Sequence, residues 1–234
     1  QHAPTQYARS RPVNAPRIPP GGGWGWLALP LAIMVVGGNV PFGLFYLCSG
    51  DVRDAARATL AVGPVTWSIL QLVLLAVGAW RLRVGGSSVA EKVGWERRRP
   101  LDAAMGVAGA LVASLSILAI QAAQGTGGGA PPWPRPVLLY WTFVTSVTAG
   151  LGEEIYFRAF LFHRFRRLSA GPLLLLTSAA FSIWHVSPSM LLHTFVVGLL
   201  FGGLYLWTKR LLPVVIAHAL TDLVGGAGML LGWW

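Results

Sequence analysis

The chain has 234 residues, 54% of them hydrophobic and 11% charged, with a mean hydropathy of +0.60. A soluble globular domain carries about 25% charged residues, so this composition excludes one and calls for a bilayer. The formal net charge of +10 is compatible with nucleic acid, but the basic residues stand between apolar blocks, as membrane topology demands, and no nucleic-acid partner is expected.

In chain order, residues 1–23 are rich in Pro, Gly and Arg and have no apolar period, which predicts a disordered basic cytoplasmic tail rather than a signal peptide. Apolar blocks follow at Trp24–Leu47, Thr59–Trp80, Leu101–Ala123, Val137–Phe162, Pro172–His185, Met190–Trp207 and Leu211–Trp233. They predict an all-α, polytopic membrane bundle of about seven transmembrane helices. The fifth and sixth blocks are short, and a hairpin that fails to cross fully fits that pair as well. The mixed charges of Val89–Leu101 fit an interfacial helix or a solvated loop. Gly125–Pro136 is a Gly/Pro loop. It divides N-terminal transmembrane helices (24–123) from a second half (124–234) that holds the polar intramembrane residues. Cys48 is the only cysteine, which leaves no intrachain disulfide and no cysteine-based metal site.

Loop charge orients the bundle. Of the 18 Lys and Arg, 14 fall before block one or after blocks two, four and six, and the alternate loops hold only Arg53, Arg57 and Arg135. This bias predicts a multi-pass cell-membrane protein with its N-terminus in the cytoplasm and its C-terminus outside.

Glu153, Glu154 and Arg158 break the fourth block. An ionisable group at the bilayer centre costs roughly 2.5–3.5 kcal/mol on insertion scales, so three within six residues call for a function. Glu154 and Arg158 share one helix face at i, i+4 and suit an ion pair. Glu153 points about 100° away and is expected to be the acid left free for chemistry. His185 ends block five, as a helix–helix hydrogen-bond partner or a site residue. His218 and Asp222 repeat the i, i+4 spacing in block seven, where Asp222 would orient the imidazole or both would donate to an anion. At 1.5 Å per residue, Glu153 lies about 16 Å and His218 about 12 Å from the nearest basic loop, so a shared cavity is within reach. A carboxylate and imidazoles there suit activation of a water by a general base. Phe195, Gly198 and Gly202 form a small-residue stripe that fits close helix contact. His193 is expected near the outer surface, outside the chemistry, and His163 in a solvated turn. No His-Glu-x-x-His helix, Gly-x-Ser-x-Gly elbow or phosphate-cradling loop occurs.

The ordered motifs Glu153-Glu154-x-x-x-Arg158, Phe181-x-x-x-His185, Phe195-x-x-Gly198-x-x-x-Gly202 and His218-x-x-x-Asp222, each on an apolar block, resemble the CPBP family. That family joins CAAX prenyl proteases with bacteriocin-processing proteins and is also called Abi. The resemblance covers about residues 137–225. It implies a glutamate-dependent intramembrane endopeptidase acting on a membrane-associated or C-terminally anchored protein or peptide, with the lipid bilayer as its other partner. By resemblance, Glu153 would activate water with help from His185. His218 and Asp222 would line the oxyanion site, and Glu154 and Arg158 would support Glu153. No cofactor is expected. The runner-up is Zn²⁺ on Glu153, His185 and His218 with an open fourth position. Two other functions fit the same residues: a non-enzymatic membrane scaffold or immunity-like peptide binder, and a proton-coupled transporter, against which the missing repeat symmetry counts.

Overall fold

A computed structural model describes residues 23–84, 88–94, 99–125 and 133–232. Nearly all of the predicted tail and most of the Gly/Pro loop lie outside the described residues. Helix α1 (Gly25–Ser49) is followed at once by α2 (Val52–Arg83). The α2 start lies seven residues earlier than Thr59, the position the apolar pattern gives. Asp51 is the reason: its carboxylate accepts from the backbone N–H groups of Arg53 and Asp54 and caps the helix. Arg53 and Arg57 therefore sit on the first turns of α2 rather than in a loop.

Of the Val89–Leu101 region, only a single turn, α3 (Val89–Lys92), is helical among the described residues. Helix α4 is Leu101–Gln124. The fourth apolar block forms one continuous helical path, α5. It runs through Arg135–Tyr140, a π turn at Trp141–Thr145, Ser146–Glu154, a second π segment at Ile155–Phe160, and Leu161–Arg164. Then come α6 (Ala170–Trp184), a 3₁₀ turn (Pro188–Met190) leading into α7 (Leu191–Thr208), and α8 (Leu212–Leu231). The described residues contain no β-strand.

Five helices are long and apolar enough to cross a membrane by themselves: α1, α2, α4, α7 with its leading turn, and α8. Residues 135–164 extend about 45 Å, enough for the hydrocarbon core, although π turns interrupt the regular helix. The 15 residues of α6 reach only about 22 Å, so the expected fifth crossing is too short to span a core of about 30 Å unaided. The polytopic bundle stands; the count of seven crossings does not follow from helix length alone.

Helix α5 is the hub. It packs between α2 and α8; α4 lies on the other side of α8, α6 pairs with α7, and α1 leans on α2. Two small residues permit this. A Cβ on Gly152 would run into the backbone of Gln71 on α2, and one on Gly150 would come 2.9 Å from the Val215 carbonyl oxygen on α8. Close backbone approach of this kind is how transmembrane helices gain van der Waals contact. The Gly198/Gly202 stripe acts as expected, seating α7 on Ser178 and Leu174 of α6.

The basic loops gather at one end of the bundle. The Leu211 N–H donates to the Val93 carbonyl at 2.9 Å, and Arg210 pairs with Asp102 at 2.9 Å. Trp24 packs on Phe165, and the Tyr156 hydroxyl donates to the Trp26 carbonyl at 2.6 Å, so α1 also begins at this end.

Candidate active site

Polar groups inside the bundle must be satisfied by protein. The α2–α5 seam does this with a ladder of side chains. Ser68 and Gln71 lie one turn apart on α2. The Ser68 hydroxyl lies 3.1 Å from that of Thr145. The Thr148 hydroxyl donates to Gln71 Oε1 at 2.6 Å, and Gln71 Nε2 donates to Glu153 Oε1 at 3.0 Å. Gln71 has no exposed surface. With its carbonyl oxygen committed to Thr148, its amide is aimed at the carboxylate. Glu153 Oε2 is buried and has no hydrogen-bond partner. The Trp184 indole N–H lies near this carboxylate, without a hydrogen bond of standard geometry.

Glu154, one residue on, faces elsewhere. Its Oε1 accepts from His218 Nδ1 at 2.6 Å and pairs with Arg158 Nη1 at 3.2 Å. The Arg158 side chain is 2% exposed, that of Glu154 0%, so the pair is removed from water. Arg158 also donates to the Gly198 carbonyl at 3.2 Å and lies 4.2 Å over the Phe181 ring. Thus Gly198 both admits α6 and supplies an acceptor. The Glu154–Arg158 pair is the expected one. That Glu154 also holds the imidazole is not legible in the sequence, where only Asp222 shares a helix face with His218. Asp222 is on the other side of the ring, its Oδ2 3.6 Å from His218 Nε2, with 35% of its side chain exposed. The Nε2 face is therefore the open side.

His185 caps α6. Its Nδ1 bonds the Phe181 carbonyl at 2.9 Å, which makes Nδ1 the N–H donor and leaves Nε2 as the acceptor. The ring packs on Phe181 and Trp67. Val186 follows with φ 50°, a strained conformation for a β-branched residue, and turns the chain sharply away after the imidazole. Phe181 also touches the His218 ring, so the two imidazoles flank one phenyl group. Among the described residues, His185 makes no hydrogen bond or ion pair with Glu153 or His218. The structure thus brings Glu153, Glu154, Arg158, His218 and Asp222 into one cluster, with His185 one ring away. His193 is buried on α7.

No group of three or more His, Cys, Asp or Glu among the described residues is arranged to hold a metal ion.

Gln71, Thr148 and Trp184 are absent from the motif-based reading. Gln71 leaves one trace in the sequence: it is the only carboxamide in the Thr59–Trp80 block. A lone amide among Leu and Val is a polar group that must find a partner in the bundle.

Residues 135–224 match the family model described as type II CAAX prenyl endopeptidase Rce1-like. No curated protein and no solved structure matches the chain. The matched segment runs from the start of α5 into α8 and contains the five residues of the cluster and His185; Gln71 lies outside it. With the helical membrane bundle, the match supports intramembrane protease activity in general terms. Over residues 135–224 the chain is similar to the Rce1-like endopeptidases, in line with the CPBP grouping that its motifs resemble.

Proposed function

We propose that Glu153 is the general base of a metal-free peptide hydrolysis. The observation that carries this is the asymmetry of its carboxylate: Oε1 is tied to Gln71, and Oε2 is buried without a partner. A base must be within reach of the proton it takes, and its position must be fixed. In the proposed reaction Glu153 Oε2 accepts a proton from a water molecule as the water oxygen attacks the scissile carbonyl carbon. The His185 Nε2 acceptor orients that water. The carbonyl π electrons move to oxygen, giving an oxyanion opposite the base. His218 donates to it from Nε2, the ring being held by Glu154 at Nδ1. The tetrahedral intermediate collapses, the C–N bond breaks, and Glu153 returns the proton to the leaving amine. Asp222 orients His218 from the open side, and Arg158 keeps Glu154 a hydrogen-bond acceptor. The substrate proposed is a peptide of a membrane-associated or C-terminally anchored protein, cut close to the membrane surface. By loop charge, the N-terminus is proposed to be cytoplasmic and the C-terminus outside.

The test compares the termini of membrane proteins in cells carrying the intact chain and its Glu153→Gln variant. Loss of a specific new terminus at unchanged protein level is the expected result. Unchanged termini with a retained cellular phenotype would mean a scaffold. Treating purified protein with a chelator is expected to leave cleavage intact; loss that Zn²⁺ restores would assign the metal to Glu153, His185 and His218.

A further inference from the structure

At the basic end, a cavity of about 330 Å³ opens where the end of α5, the start of α6, the end of α7 and the α3 turn meet. Lys92, His163, Arg166 and Lys209 line one part of it; Leu173 and Leu206 line another. Among the described residues no carboxylate lines it. The nearby acid Asp102 is engaged by Arg210 and by the Arg99 N–H. The Lys92 ammonium donates to the Leu82 carbonyl, a contact that fixes its position without cancelling its charge. Arg166 and Lys92 are close enough to His163 for both charges to be felt there. Neither Arg166 nor Lys209 forms an ion pair with a carboxylate among the described residues. Ala170, on the first turn of α6, also lines the cavity. That helix begins without a side-chain cap, so the positive end of its dipole lies at the cavity uncompensated by a capping side chain.

Like charges gathered in this way repel unless an anion joins them. The loops that supply them are far apart in sequence, and the fold alone brings them together. Phe162, Leu168, Leu173 and Leu206 make the apolar wall of the cavity, where α5, α6 and α7 meet. A phosphate group answers the charge, and an attached diacyl body answers the wall. Basic pockets between transmembrane helices are suited to lipid headgroups.

We propose that this cavity binds the phosphate of an anionic phospholipid headgroup, held by Lys92, Arg166 and Lys209. The site is separate from the glutamate cluster, and the inference does not depend on the peptidase reading. The test is native mass spectrometry of the full-length protein, titrated with phosphatidylglycerol and, separately, with phosphatidylcholine. Arg166 and Lys209 are exposed, so the double variant Arg166→Gln/Lys209→Gln is expected to fold. Arg53→Gln/Arg57→Gln, also exposed and at the opposite end, is the charge-matched control. The intact chain and the control are expected to retain phosphatidylglycerol in preference to phosphatidylcholine. The Arg166/Lys209 variant is expected to need roughly ten- to thirtyfold more phosphatidylglycerol for the same occupancy. Glu153→Gln is expected to bind lipid as the intact chain does, which separates this result from any failure of the proposed chemistry. Equal weakening in the two double variants, or no preference for the anionic lipid, would overturn the proposal. Displacement of phosphatidylglycerol by an equal concentration of inorganic phosphate would reassign the cavity to a soluble phosphate and would equally overturn the lipid.

Discussion

Helices α1 and α5 are both long and apolar, yet the bundle uses them in opposite ways. In α1, of 25 residues, only Pro30 is buried. Its polar groups look after themselves: Asn39 donates to the Val35 carbonyl and Ser49 to that of Phe45, each one turn back on the same helix. From Gly152 to Phe162, α5 is buried at every position but Ile155, and it carries two glutamates and an arginine. A helix facing lipid has no partner to offer a charge, so its polar residues must bond locally. A helix enclosed by protein can hold charges, because α2, α7 and α8 supply an amide, a carbonyl and an imidazole at the right depth. The density of neighbours, not hydropathy, separates a site helix from an anchor helix.

Substitutions on α5 and its partners should therefore be severe, and those on α1 mild. Glu153→Gln should have the largest effect, lowering cleavage of a defined peptide by about 10²–10⁴-fold while the melting temperature in detergent holds. A variant that keeps its rate would move the chemistry away from α5. Glu154→Gln comes next. It leaves Arg158 buried beside a neutral amide, and breaking one side of such a pair costs about 3–5 kcal/mol, seen as a shift in thermal or denaturant unfolding. Gln71→Ala, which removes a partner supplied by α2, is expected to lower the turnover rate about tenfold with a smaller effect on KM. Thr148→Val should do less, and the double variant should fall short of the summed losses, because Thr148 acts through Gln71. Val36→Ala on α1, at a side chain 68% exposed, should stay within about 0.5 kcal/mol in stability and leave the rate unchanged. A marked loss there would show that α1 is more than an anchor.

The sequence spoke clearly where one helix carries the whole message. Apolar runs gave the helices, and i, i+4 spacing gave the Glu154–Arg158 and His218–Asp222 pairs, because both signals are periodic along a single chain. Beyond the Gly198/Gly202 stripe, it did not say which residues of different helices meet. Gln71 and Glu153 are 82 residues apart, and nothing in either helix alone specifies that their depths coincide. The same silence hid the bond between Glu154 and His218, 64 residues apart. The start of α2 was misplaced because its first turns are polar: Asp51 fixes the helix by capping, a signal that hydropathy does not carry. The shortness of α6 was visible in its block; whether it crosses depends on packing with α7, which composition does not report.

The contact of Gly152 with the α2 backbone at Gln71 sets how far the base stands from the amide that holds it. At that point two main chains are separated by hydrogen atoms, so no trimming of a neighbouring side chain can make room for a methyl group. A Gly152→Ala change would have to shift a whole helix, and the amide at Gln71 would travel with it. The address of the acid is thus written in the main chain, and a defect there would have no local suppressor.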